Sequence, residues 1–175
     1  MKAKVVGPEG DAAQYLDAEQ FHREIRRPYD GPLSWAVNKE RGRMARVLYR
    51  APHENAAEQG ARRGAGNDWA RWIFSEEPGL EERIFTAPLE LIIDARLDPG
   101  ACIGLHRHHE TEEVYYLLEG ALTMTTVGAD GREATFAMAP GDAHAVKLGQ
   151  AHFGVAGPAG ARFMAVSVRA LARPG

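Results

Sequence analysis

The stretch GACIGLHRHHETEEVYYLLEG, residues 100–120, decides the fold and the chemistry that we expect of this chain. His106 and His108 are two residues apart, and side chains at that spacing point to the same face of a β-strand. Glu113 follows after a polar step that can turn the chain into a second strand. Two imidazoles and a carboxylate suit Fe(II), Mn(II), Ni(II), Cu(II) or Zn(II). The stretch therefore predicts a metal site, and the ordinary alternative is a strand with two histidines on its solvent face.

The spacing of these residues between two glycines resembles the first signature of the cupin superfamily, and of its small single-domain metal-binding members in particular. A second signature is expected downstream, and residues 141–156, GDAHAVKLGQAHFGVA, resemble it. Gly141, Gly149 and His152 fall at its spacing, whereas Lys147 replaces the usual proline and Ala156 the usual asparagine. By this resemblance His152 is the fourth ligand, which completes a set of three histidines and one glutamate.

The hydrophobic pattern independently predicts an all-β protein. Alternating segments bounded by Gly, Pro and Asp predict strands at 42–50, 89–97, 114–119, 121–127, 133–139, 143–148 and 162–169, with a further strand around the two histidines. Asp130-Gly131 is typical of a hairpin turn. Short strands at this spacing indicate a sandwich or barrel, and the resemblance implies the double-stranded β-helix, or jelly roll, of cupins. We expect an N-terminal arm over 1–40, with one helix over about 18–27, and a single barrel over 41–172.

Two segments give weaker signals. Residues 1–16 predict an arm with little strand, and residues 52–72, with three glycines, predict a long loop. Trp69 and Trp72 argue against disorder in that loop. Packing in the core or against another subunit is the favoured role of these tryptophans, and lining the mouth of a pocket is the alternative.

Composition narrows the partners and the location. The net charge of −3 and the mixed signs of charge disfavour nucleic acid as a partner. No apolar run approaches the length of a membrane span, and the N-terminus lacks the apolar centre of a signal peptide. Cys102 is the single cysteine, which fits a reducing compartment. We therefore expect a cytoplasmic protein, and because a single barrel has exposed strand edges, a homodimer.

The resemblance implies one divalent transition metal per subunit, with iron favoured over Mn, Ni, Cu or Zn. The first functional hypothesis is a dioxygenase that acts on a small molecule. A redox-neutral isomerase, lyase or cyclase is the second, and a non-catalytic barrel that binds a small molecule is the third.

Four further residues have candidate roles or compete for one. Tyr115 shares strand parity with Glu113 and is either a proton donor to substrate or an ordinary core aromatic. His144 shares parity with inward apolar residues and is either a base or a hydrogen-bonded core residue. Glu112 competes with Glu113 as the ligand, and His109 is expected to face solvent.

Overall fold

The computed structural model describes residues 5–8, 14–24, 27–32, 37–51, 60 and 62–171. The described chain contains ten strands, one α-helix and one short 3-10 turn. In chain order they are β1 Val5–Val6, β2 Gln14–Asp17, α1 Ala18–Glu24, the 3-10 turn Arg41–Arg43, β3 Arg46–Arg50, β4 Asn67–Ser75, β5 Leu89–Leu97, β6 Cys102–Arg107, β7 Thr111–Val127, β8 Glu133–Met138, β9 Ala143–Val146 and β10 Ala151–Arg169. No helix in these ranges is long and apolar enough to cross a membrane.

Two long strands, β7 and β10, run through both halves of the barrel. The first half of β7 pairs with β9 and with the second half of β10, which continues to β5, β4 and β3. The second half of β7 pairs with β8 and with the first half of β10, which continues to β6. All of these pairings are antiparallel. The result is the predicted jelly roll, in which two sheets enclose one core.

Glycines allow the two long strands to bend from one sheet to the other. Gly120 has φ +78° and Gly160 has φ +80°, a region that side-chain-bearing residues rarely adopt. A Cβ at Gly120 would lie 2.2 Å from the carbonyl oxygen of Gly160. The crossing therefore needs glycine for space as well as for conformation.

The core fills the space between the sheets. Tyr115 and Leu117 face inward from one half of β7, and Leu122 and Met124 from the other half. Phe163 on β10 packs with them, and every one of these side chains is at most 4% exposed. The alternation that predicted the strands thus marks their buried face.

The predicted loop over 52–72 is wrong for its last part, because residues 67–72 belong to β4. β4 is packed on both faces, so it lacks the alternation of polar and apolar residues that identifies a half-exposed strand. Trp72 lies in the main core, and Trp69 packs on the other face with Tyr15 and Leu48. The packing role of both tryptophans is confirmed. Residues 52–59 and 61 lie outside the described residues.

The N-terminal arm has more strand than predicted. β1 pairs with β2, and β2 runs parallel to β3 at the edge of the sheet. α1 is capped by Asp17, whose Oδ1 accepts a hydrogen bond from the Glu19 backbone N–H (3.1 Å), and its Phe21 is fully buried. The described helix ends at Glu24. Residues 25 and 26 of the predicted helix lie outside the described residues, and residue 27 is not helical.

Strand boundaries account for the remaining differences. β3 begins at Arg46 rather than at 42, because the 3-10 turn precedes it. β7 is continuous where two strands were predicted, and β10 begins at Ala151, well before the predicted 162. Glycine-rich segments that predicted turns here lie within bent strands.

Candidate metal centre

His106, His108, Glu113 and His152 come together inside the barrel. Their candidate ligand atoms all lie within 4.8 Å of one another. His106 on β6 is the cross-strand neighbour of His152 on β10, and His108 follows directly after β6. Glu113 enters from β7, in the sheet opposite. The predicted quartet is thus assembled from three strands and one turn.

The spacing of the ligand atoms fits a bound cation. His152 Nε2 lies 2.8 Å from His106 Nε2 and 3.1 Å from His108 Nε2. Glu113 Oε2 lies 3.5 Å from His108 Nε2 and 3.8 Å from His152 Nε2. Neighbouring ligands on metal bonds of about 2.0–2.2 Å are roughly 3.0–3.5 Å apart. The four groups therefore match the donor set and the size of a divalent transition-metal site.

Hydrogen bonds orient two of the imidazoles toward the centre. His106 Nδ1–H donates to the carbonyl oxygen of Gly104 (2.8 Å), which leaves the Nε2 lone pair directed inward. His108 Nδ1 is hydrogen-bonded to Thr111 Oγ1 at 3.0 Å. Partners of this kind fix the ring and tautomer of a metal-binding histidine.

Burial favours the neutral form of two of the three imidazoles, those of His108 and His152. The pKa of His108 is lowered to about 4, mainly by burial and in addition by charge repulsion from His106 and His109. Burial also places the pKa of His152 well below its ordinary value, and the neighbouring histidines add to that effect. Neutral imidazole is the form that binds a metal, so the site is ready to accept a cation at neutral pH.

The structure separates Glu113 from its competitor. Glu112 Oε1 accepts a hydrogen bond from the Leu148 backbone N–H (3.3 Å), which directs it toward the turn between β9 and β10. His109 is exposed and lies outside the cluster, as expected.

Tyr115 and His144 lie beside the cluster and are cross-strand neighbours. The Tyr115 ring is 4% exposed, and its centroid is 5.3 Å from that of His152. His144 Nε2 is hydrogen-bonded to Thr126 Oγ1 at 2.8 Å, which joins the two sheets. Burial lowers the pKa of His144. Both side chains are placed to act near the centre, and their roles remain predictions.

Asp68 is a candidate functional residue that the sequence interpretation missed. It lies on β4 with the parity of Ala70 and Trp72, which both belong to the core. Its Oδ1 is buried and has no hydrogen-bond partner among the residues that the structure describes. The pKa of this carboxyl is raised to about 7, mainly by burial and in addition by charge repulsion from Glu113 and Asp98. The available signal was that Asp68, Ala70 and Trp72 follow one another at two-residue steps, which the loop interpretation hid.

A cavity of about 520 Å³ lies next to the centre, at the edge where β8 and β9 face each other. Thr126 and His144 form part of its wall, and most of the rest is apolar. The other lining residues are Ala134, Phe136, Ala137, Met138, Asp142, Ala143, Ala145, Lys147 and Gln150.

Comparison with known proteins agrees with this geometry. The family model described as "Cupin domain" matches residues 94–167, which include all four converging side chains. A search of curated proteins found no match.

Among solved structures, oxalate decarboxylase from Bacillus subtilis, described with Mn(II) centres, is 28% identical. That match has a TM-score of 0.50 and covers 58% of this chain and 25% of that one. A tryptophan-to-tyrosine variant of this enzyme is 25% identical with a TM-score of 0.52, covering 63% and 28%. A predicted oxalate decarboxylase from Thermotoga maritima is 24% identical with a TM-score of 0.48, covering 61% and 84%.

The match to the Bacillus enzyme thus spans only about a quarter of its length. The motif spacing, the jelly roll and the family match nevertheless agree on one region of the chain. Residues 94–167 match the family described as a cupin domain.

Proposed function

We propose that this protein is a metalloenzyme of dioxygenase type, in which His106, His108, Glu113 and His152 hold one divalent transition metal, with iron as the first candidate. The observation that carries the proposal is the convergence of three imidazoles and one carboxylate within 4.8 Å. Without a cation, imidazole lone pairs at this distance repel each other. A divalent metal with open coordination positions supplies Lewis acidity and, for iron, a place for dioxygen beside a chelating substrate.

The surrounding residues would bind and orient a small molecule beside that site. Tyr115 is proposed as a hydrogen-bond donor to substrate, because it is buried against His152. His144 is proposed as a base, because burial favours its neutral form and it borders the adjacent cavity. The apolar wall of that cavity would exclude water from the reacting groups.

A redox-neutral lyase is the second candidate. It is favoured by the 28% identity to oxalate decarboxylase, whose Mn(II) centres suggest manganese for this chain as well. In that reaction class the metal polarises a substrate oxygen, and no dioxygen is consumed in net terms. The isomerase and cyclase possibilities belong to the same class, and a barrel that only binds its ligand is the third.

Oxygen uptake separates these classes. Protein loaded with Fe(II) or with Mn(II) would be incubated with a panel of catechols, β-dicarbonyls and small carboxylic acids, with oxygen consumption and products recorded. Stoichiometric oxygen uptake with the iron form supports the dioxygenase. Turnover that is unchanged under anaerobic conditions, best with manganese, would replace it with the lyase.

The His144→Gln variant tests the proposed base in the same assay. It keeps a hydrogen-bonding side chain at the cavity wall and removes the proposed base. Reduced turnover with unchanged metal content supports the role of His144 as a base. Full turnover would show that His144 has only a structural role. If both metal forms bind a small molecule without converting it, the third hypothesis, a non-catalytic binding barrel, is supported.

A homodimer and a cytoplasmic location are also proposed, on the grounds given by the sequence. Sedimentation and cell fractionation measure them directly. A monomer at micromolar concentration would contradict the proposed homodimer.

A further inference from the structure

The cavity between β8 and β9 begins one strand away from the metal centre. Thr126, on its wall, is the cross-strand neighbour of His152. Adjacent strands are about 4.8 Å apart, so a molecule in the cavity is within reach of the ligand cluster. The hydrogen bond from Thr126 to His144 marks the boundary between the cavity and the metal centre.

Phe136 gives this cavity an uncovered apolar surface. It is the cross-strand neighbour of Met124 and so lies on the inner face of its sheet. Met124 and Leu122, on that same face, are 0% and 1% exposed, whereas Phe136 is 49% exposed. A large aromatic left open on an inner face is a surface that an apolar ligand can cover.

Polar groups also line this cavity. His144 is 5.4 Å from Phe136, measured between ring centroids, and it faces the metal centre through Thr126. Of the two charged residues in the lining, Asp142 already accepts a hydrogen bond from the Ala139 backbone N–H (2.8 Å), which leaves Lys147 as the charge available to a ligand. The cavity is thus suited to a molecule with one apolar and one oxygen-rich end.

We propose that this cavity binds the apolar part, a short alkyl chain or a phenyl ring, of a substrate whose oxygen-rich end chelates at the metal centre. This inference rests on the proposed function and narrows its substrate class. Oxalate has no apolar part, so the preferred substrate differs from that of the similar decarboxylases. A cavity of about 520 Å³ has room for such a group.

A series of 2-oxo acids tests the proposal by calorimetry. Pyruvate, 2-oxobutanoate, 2-oxopentanoate and 2-oxohexanoate share one chelating end and differ by single methylene groups. In the Mn(II)-loaded protein, affinity should rise about fourfold for each methylene that the cavity buries. Phe136→Ala should flatten this rise, and Ala134→Phe should flatten it by filling the cavity.

Phe85→Ala is the matched control. Phe85 is 39% exposed and packs on Phe74 in another part of the molecule, so its loss should leave the series unchanged. Circular dichroism checks the fold of each variant, and Ala134→Phe keeps the test valid if Phe136→Ala does not fold.

The outcomes separate this proposal from the proposed function. In the His106→Ala variant, overall affinity should fall while the dependence on chain length persists. A flat series in protein with full metal content overturns the cavity proposal and leaves the metal site intact. A retained rise in parent protein that cannot be loaded with metal contradicts the metal site alone. A flat series together with a change of sedimentation in Phe136→Ala would make the cavity a contact between two copies of the chain.

Discussion

Burial shifts the pKa of individual ionisable side chains inside this barrel. The three histidines of the cluster lie close to Glu113 inside the barrel. Burial is the largest cause of the lowered pKa of His108 and His152. The same environment acts in the opposite direction on the Asp68 carboxyl, whose pKa burial raises to about 7. One low-dielectric interior therefore favours neutral imidazole and neutral carboxyl alike.

Asp68→Asn should change the pH dependence of stability. Between about pH 4 and 7 the folded state keeps a proton on Asp68 that the unfolded state has lost, so stability falls as pH rises through this window. The variant removes this loss and should be the more stable protein at pH 8, by on the order of 2–4 kcal/mol. Urea unfolding of chelator-treated protein at pH 5 and pH 8 measures the effect. Asp130→Asn, in the exposed hairpin, is the control, and parallel pH profiles for Asp68→Asn and the parent would contradict the account.

At the scale of elements, the barrel depends on two strands that bend. β7 and β10 each contribute to both sheets, and they cross where Gly120 and Gly160 are adjacent. The sequence predicted separate short strands here because glycine usually marks a turn. The pairing of β7 with β10 shows that each strand continues through the bend. The alternation of residues along a short stretch of sequence does not contain that information.

Gly120→Ala should destabilise the fold strongly. A Cβ there would lie 2.2 Å from a backbone oxygen, and the residue has φ +78°. We expect a loss of roughly 2–4 kcal/mol, since conformational strain and a backbone clash add. Gly131→Ala is matched in conformation, with φ +79° and nothing within 4 Å of the added Cβ, and should cost only about 1 kcal/mol. Equal thermal unfolding temperatures for the two variants would refute the role of the crossing.

The sequence predicted the elements of the barrel well, and it predicted the candidate metal site almost completely. The strand over 89–97 and the hairpin between 127 and 133 match the structure, because their alternation reflects burial on one face. β4 was missed because both of its faces are packed. Asp68 and Thr126 were missed as neighbours of the site because their proximity depends on how distant strands align.

In the molecule as a whole, a buried ion pair links the segment before β3 to the segment after β4. Lys39 and Glu82 have side chains that are 1% and 3% exposed, and Lys39 Nζ also donates to the carbonyl oxygen of Ile73. Burial lowers the pKa of Lys39, whereas Glu82 acts against this shift. The pair thus places two opposite charges in the interior of the protein, where they contact each other directly.

Glu82→Gln should cost roughly 3–5 kcal/mol of folding stability, because it leaves a buried ammonium group without its counter-charge. The double variant Lys39→Met, Glu82→Leu should recover much of this loss, since it removes both charges. Chemical denaturation of the parent and both variants provides the comparison. A double variant as unstable as Glu82→Gln would show that the charges themselves are not the cause.

We propose above that His106, His108, Glu113 and His152 hold one divalent metal. The most direct measurement is elemental analysis of untagged protein purified without chelator, beside His106→Ala, His152→Ala and the exposed control His109→Ala. We expect about one Fe, Mn, Ni, Cu or Zn per chain in the parent and in His109→Ala, and loss of that metal in His106→Ala and His152→Ala while the barrel stays folded. Metal retained in His106→Ala and His152→Ala, or a parent protein that cannot be loaded with any of these ions, would contradict it.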